Sequence, residues 1–156
     1  MTDSNTKRWA GALAGGLVAG LGITALLMSG ERKSGEPSEL AKLERAAADK
    51  LGLDTPPADQ LPSAGEQTVI QGGHLILGLL AAAAYAASTD EDTPVVAGGL
   101  AFGAAFYVAM HWLVGPALGV KQPEWRADRA TLAMHTINHL VFGLTTAATS
   151  RAAQHA

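Results

Sequence analysis

Four long stretches without charged side chains are the feature that most restricts the fold of this chain. The sequence has 11 Lys and Arg and 14 Asp and Glu, yet runs of 22, 23, 28 and 21 residues contain none of them, at 9–30, 67–89, 93–120 and 130–150. A helix needs roughly 20 apolar residues to cross a bilayer, whereas a soluble amphipathic helix carries charge along its outer face. The runs predict an all-α membrane protein, a bundle of four transmembrane helices near 9–29, 68–88, 94–115 and 131–149.

The main alternative is a soluble four-helix protein. The mean hydropathy is +0.16, which is modest because the charges are concentrated in the connections. The first apolar run follows Lys7 and Arg8 as in a secretory signal, but it is longer than the usual apolar region of roughly 7–15 residues and has no clear A-x-A cleavage site. We therefore expect an uncleaved first helix and a single membrane domain over 1–156.

One long loop, 30–67, is expected on the side of the membrane that we call side A. Its segment "PSELAKLERAAADKLGL" predicts a helix, with Ser38 as the N-cap and Gly52, Pro56 and Pro57 after its end. Apolar residues recur at helical spacing beside charged ones, which is typical of an amphipathic helix on a membrane surface. A solvated helix is the alternative.

Rows of small residues run along each predicted span. Membrane helices associate where small residues let their backbones approach closely. The glycines that we predict at helix contacts are Gly16, Gly20, Gly78, Gly99, Gly103 and Gly143.

Four histidines fall on these rows. Span 2 starts at side A, span 3 ends there and span 4 starts there, so all four histidines are expected at a similar depth beneath side A. The candidate site residues are His74, His111, His135 and His139, with Gln71, Tyr107 and Asn138 at similar depth.

The histidines admit more than one interpretation. Ionisable groups at membrane depth are costly and are candidates for function, but imidazoles also form structural hydrogen bonds between helices. His135 and His139 lie one helical turn apart, so they are the candidate metal ligands, and haem b or a divalent metal is the candidate cofactor.

Other kinds of chemistry find little support in the sequence. The chain has no cysteine, which excludes thiolate sites, and it has no HExxH motif. No carboxylate lies within a predicted span, so we expect neither a carboxylate di-metal site nor an Asp/Glu proton relay within the core. No nucleophile and base are paired, which argues against an enzyme.

Three segments resemble the YagU-like family of uncharacterised bacterial inner-membrane proteins. They are "GHLILGLLAAAAY", "FGAAFYVAMHWLVGPALGV" and "NHLVFGLTTAATSR". His74, His111 and His139 match the family pattern, whereas His135 does not. The resemblance implies the bacterial inner membrane, with both termini cytoplasmic, and no established activity.

Charge distribution gives a conflicting orientation. Side A has eight Lys and Arg and side B, which holds the termini, has three, so the positive-inside rule places side A in the cytoplasm. The expected partners are the lipid bilayer and either a second copy of this chain or a larger membrane complex, and the net charge of −3 argues against nucleic acid. The sequence thus predicts a non-catalytic subunit or scaffold with an interior histidine cluster, or alternatively a site that handles protons, a metal or haem.

Overall fold

The computed structural model describes residues 3–156, and it is all-helical over that range. The main helices are α1 (Asp3–Ser34), α2 (Glu39–Lys50), α3 (Ala64–Ser88), α4 (Val95–Tyr107) and α6 (Arg129–Gln154). A π-helical segment (Val108–Val114) and a short helix α5 (Gly115–Ala117) continue α4, and a 3-10 turn (Glu124–Arg126) precedes α6.

Three helical stretches in the described part of the chain are long and apolar enough to cross a membrane. They are Asp3–Ser34, Ala64–Ser88 and Val95–Ala117, and they indicate a membrane protein. The fourth charge-free run also forms a long helix, α6, but it does not reach the same hydropathy because His, Thr and Asn interrupt its apolar residues.

The connection between α1 and α3 is shorter than predicted. We expected a loop over 30–67, but α1 continues to Ser34 and α3 begins at Ala64. The predicted helix within it is confirmed as α2: the Ser38 hydroxyl accepts a hydrogen bond from the Ala41 amide at 3.2 Å, and Gly52 follows the helix at φ +72°, where a glycine has no steric penalty.

Glycines allow the long helices to pack closely. α6 packs against both α1 and α4, and α1 also packs against α3. A methyl group added at Gly99 would lie 2.9 Å from the Leu144 Cα atom, and one at Gly103 would meet the His139 backbone. Gly16 faces Ala82 and Gly78 of α3 in the same way. All these neighbouring helices are antiparallel, because the residue numbers rise on one helix as they fall on the other.

The π-helical segment was not predicted. It lies just before Pro116, which has no backbone N–H, and the Gly115 amide bonds to the Met110 carbonyl five residues back. Such segments add a residue to one turn and often accompany functional sites. Here the segment contains His111.

Candidate functional site

A glutamate from a loop is the most deeply buried ionisable group of the site. Glu124 is in the 3-10 turn before α6 and its residue exposure is 0%. Its Oε1 atom lies 2.6 Å from His135 Nδ1 and accepts a hydrogen bond from the Tyr107 hydroxyl at 3.3 Å. We expected no carboxylate to be available within the core, and Glu124 departs from that expectation because its loop folds inward over the ends of the helices.

His135 lies between two carboxylates. Its Nδ1 atom faces Glu124, and its Nε2 atom lies 2.7 Å from Glu39 Oε2 of α2. Only the doubly protonated ring can donate a hydrogen bond from both nitrogens. The arrangement therefore fits an imidazolium that joins α2, the loop and α6.

Lys121 supplies the second positive charge. Its ammonium nitrogen lies 2.6 Å from Glu39 Oε1 and 2.9 Å from Glu124 Oε2, although the second ion pair lacks the alignment of a hydrogen bond. It also donates a hydrogen bond to His111 Nδ1 at 2.7 Å. We call Glu39, Lys121, Glu124 and His135 the side-A network; its two carboxylates balance one ammonium and one imidazolium.

Both carboxylates of the side-A network are held in the ionised form. Burial raises the pKa of the Glu39 carboxyl, but hydrogen bonds and charges from His135 and Lys121 outweigh burial and lower this pKa to about 2. The pKa of the Glu124 carboxyl is also lowered: burial raises this pKa, but hydrogen bonds and charges from His135 and Lys121 outweigh the effect of burial. Both groups therefore carry negative charge at neutral pH.

Three of the four predicted histidines meet in space. The rings of His111 and His135 have centroids 4.2 Å apart, and those of His111 and His139 are 4.9 Å apart. The predicted residue Tyr107 packs on His111 at 5.3 Å and on His139 at 5.6 Å. The structure therefore joins the π-helical segment to α6 through imidazole and phenol rings.

His74 makes no ring contact with the other three histidines in the described part of the chain, and it belongs to a second set of polar side chains. Its Nδ1 atom is 3.3 Å from the Thr24 hydroxyl, which donates to the Gln71 side-chain oxygen at 2.9 Å. Gln71, another predicted site residue, donates to Gln67 at 3.1 Å, and Gln67 donates to the Glu31 carboxylate. This chain of hydrogen bonds connects α1 to α3.

A cavity of about 230 Å³ lies between these two polar groups of residues. Most of its wall is apolar, with Ile23, Leu27, Leu43 and Phe142 among the lining residues. Its polar lining consists of His74, His111, His135, Asn138, His139, Glu39 and Lys121. The cavity thus brings together all four predicted histidines and Asn138.

One set of donor atoms has the spacing of a metal site. Ligand atoms of His111, Glu124 and His135 lie within 4.8 Å of one another. The metal pair predicted from sequence, His135 and His139, is not this set, since His139 Nδ1 is bonded to the His135 carbonyl at 2.8 Å. The Lys121 ammonium lies among the three donors, 3.5 Å from His135 Nδ1, so a divalent ion would have to displace it.

Sequence reasoning missed three members of the side-A network, namely Glu39, Lys121 and Glu124. Each is a charged residue in a connection between predicted spans, and such residues are usually solvated. One usable signal was "KQPEWR", where a charged loop is short and contains an apolar ring beside Glu124. The signal is weak because nothing in it gives the direction in which the loop folds.

Comparison with known proteins does not assign the chain to a family. No family model, curated protein or solved structure matches it significantly. The interpretation of the site therefore rests on its own residues and their geometry.

Proposed function

We propose that this chain is a multi-pass protein of the bacterial inner membrane with four membrane helices, and that it acts as a non-catalytic subunit or scaffold. In this proposal the side-A network, with its bond from Lys121 to His111, locks α2 and the connection before α6 to the side-A ends of the third and fourth membrane helices. The observation that carries the proposal is His135, whose two ring nitrogens contact carboxylates from two different segments at 2.7 and 2.6 Å. A group held in this way fixes the relative positions of α2, the loop and α6.

Outward-facing apolar side chains support four spans. Large apolar residues are exposed on every long helix, including Val18 at 60%, Ile76 at 61% and Leu113 at 61%. On α6, which has the lowest hydropathy of the four, Ile137 is 58% exposed and Val141 is 50% exposed. Apolar surface on α6 favours lipid rather than water around it, since contiguous apolar patches are rare on soluble monomers.

An exposed pair of tryptophans supports a position of the side-A network near the membrane–water interface. Trp112 and Trp125 have ring centroids 5.9 Å apart, and they are 37% and 65% exposed. Tryptophan is enriched where membrane meets water, and this pair lies next to the side-A network. We propose that the network lies near the interface on that side. We also propose, from the resemblance of the sequence to the YagU-like family, that both termini are cytoplasmic.

Cysteine labelling tests this topology cleanly because the chain has no cysteine of its own. Asp54→Cys marks the connection between α1 and α3, and Asp92→Cys marks the turn between α3 and α4. With an impermeant thiol reagent added to intact cells, Asp54→Cys should react and Asp92→Cys should react only after the membrane is opened. The reverse result would overturn the orientation, and equal labelling of both in intact cells would overturn the four spans.

A double-mutant cycle tests the role of the network. Glu39→Gln and His135→Gln, alone and together, should show a coupling energy of about 0.5–3 kcal/mol in unfolding of the purified protein, as contacting residues do. The exposed pair Asp3 and Lys7, 3.2 Å apart on α1, is the control, and its coupling should be about 0.3–0.5 kcal/mol. Coupling between Glu39 and His135 no larger than that of the control would exclude a locking role.

Metal or proton handling is the second candidate, and the convergence of His111, Glu124 and His135 favours it. Two imidazoles and a carboxylate suit a divalent transition metal, and haem would be recognised by its absorption. Elemental analysis and a visible spectrum of the purified protein decide between the candidates. Stoichiometric metal that is lost in His111→Gln would favour the metal site, whereas metal binding that appears only in Lys121→Met would favour the lysine as the permanent cation.

A further inference from the structure

The cavity described above is a second candidate binding site, and it borders the side-A network at Glu39, Lys121 and His135. Its volume is about 230 Å³, while an apolar cavity of roughly 150 Å³ in another protein stays dry and takes up benzene. Space is therefore sufficient for one substituted aromatic ring. The chemistry of such a ligand depends on which polar atoms the wall presents.

Hydrogen bonds fix the protonation of His74. The chain that ends at the Glu31 carboxylate runs in one direction: Gln67 donates to Glu31, Gln71 donates to Gln67 and the Thr24 hydroxyl donates to Gln71. Thr24 has a single proton and has used it, so its contact with His74 Nδ1 at 3.3 Å requires the ring to donate. The neutral His74 ring therefore has its unprotonated acceptor at Nε2.

His139 is fixed in the same form by a different partner. Its Nδ1 atom is 2.8 Å from the backbone carbonyl of His135, and a carbonyl can only accept. The proton is therefore on Nδ1, and Nε2 is again the bare acceptor. Both rings line the cavity, and neither Nε2 atom has a hydrogen-bond partner among residues 3–156.

Two acceptors in a largely apolar cavity select for a hydrogen-bond donor. A ligand that fills the cavity displaces water from these acceptors, and an apolar ligand without a donor would leave them unpaired at a cost in affinity. We infer that the cavity binds a small apolar molecule carrying a hydroxyl group, and that an alkyl-substituted phenol is the simplest ligand of this class. The hydroxyl donates to His74 or His139, and the ring lies against Ile23, Leu43 and Phe142.

Calorimetric titration of the purified protein in a maltoside detergent tests the inference with two matched probes. The probes are 4-ethylphenol and 4-ethylanisole, which differ only in that the hydroxyl is methylated. After subtraction of detergent blanks, the phenol should bind about tenfold more tightly than the ether, since tenfold corresponds to one hydrogen bond of ordinary strength. Equal affinity for the two probes, or no binding of the phenol, would overturn the inference without any variant.

Two variants locate the binding. Leu43→Trp fills the cavity from α2 and should abolish binding of both probes, whereas a double phenylalanine variant keeps both rings but removes both acceptors. In the double variant His74→Phe/His139→Phe, the preference for the phenol should fall to about onefold. A preference that survives the loss of both acceptors would show that the hydroxyl binds elsewhere, and Leu77→Ala, on the wall but apolar, is the control that should keep the preference.

Discussion

The two ends of the helical assembly are closed by different chemistry. At side B, the Arg8 guanidinium donates to the Ala86 carbonyl at 2.7 Å, Arg151 donates to the Thr93 carbonyl at 2.9 Å, and Ser150 donates to the Arg8 carbonyl at 3.0 Å. At side A, the contacts join carboxylates to an ammonium and an imidazole. Arginine bonded to carbonyls stays charged at any physiological pH, so these side-B contacts keep their charge, whereas the side-A contacts are made by groups that can titrate.

The packing of α1 against its neighbours also differs between its side-B half and its side-A half. Gly15 of α1 is so close to α6 that an added methyl group would meet the Thr149 side chain, whereas Gly22, seven residues nearer to side A, has nothing within 4 Å. The cavity lies in this more open half and has Gly20 at its wall. The comparison teaches that along α1 the close glycine contacts lie towards side B, while the part of this helix towards side A borders the space and the ionisable groups that a site requires.

Loss of one carboxylate from the side-A network should have the largest effect. Glu124→Gln removes the partner of Lys121 and His135 while Glu124 is fully buried, and breaking a buried ion pair in this way typically costs about 3–5 kcal/mol. Denaturant unfolding followed by circular dichroism measures the change. Glu91→Gln at side B, where the side chain is exposed and accepts from Ser4, is the control; a similar loss in both variants would remove the distinction between the two ends.

An added methyl group should change stability in opposite directions at a closely packed glycine and at a glycine without close neighbours. Gly143→Ala places its methyl against the backbone of Gly99 and Gly103, so we expect the roughly 1–3 kcal/mol loss of an overpacked core. Gly22→Ala meets no neighbour and should instead stabilise the helix by up to about 1 kcal/mol, since glycine is a poor helix former. A melting temperature that falls in Gly22→Ala as well would show that α1 is in close contact with a neighbouring helix at this position too.

Low pH should lower the unfolding free energy less than either of the preceding substitutions does, because the Glu39 side chain is 37% exposed. The pKa of Glu39 is lowered from 4.5 to about 2 in the folded protein, by His135 and Lys121 acting against burial. A lowered pKa contributes stability that is fully present above pH 4.5 and is lost as pH falls towards 2. The difference in unfolding free energy between wild type and Glu39→Gln should therefore shrink over that window, and a difference independent of pH would contradict the assignment.

The helices were predictable because their signals are local. Charge-free runs marked the three apolar stretches that the structure shows, and Ser38 with Gly52 marked α2. The meeting of His111, His135 and His139 followed in part from depth, since two of these residues begin one helix and the third ends the preceding one.

The charged half of the site was not predictable for a physical reason. Glu124 and Lys121 lie in a connection whose direction depends on its contacts with α2, and a single sequence holds no record of such long-range pairing. Predicting that His74 lies beside Thr24 likewise required knowledge of how α1 and α3 are shifted along each other. The spacing of the glycines does not determine this shift to better than about one helical turn.

The π-helical segment determines what the deletion of a single residue would do to the helix that contains His111. Such a segment holds one residue more per turn than an α-helix, so deleting one residue between Val108 and Val114 would leave a continuous helix of almost the same length. Because the wide turn absorbs the extra residue, the chain after the deletion would keep about its present orientation, and Lys121 would still lie between Glu39 and Glu124. The extra residue therefore shapes the helix locally around His111, while the placement of the charge-balanced centre depends on the rest of the chain.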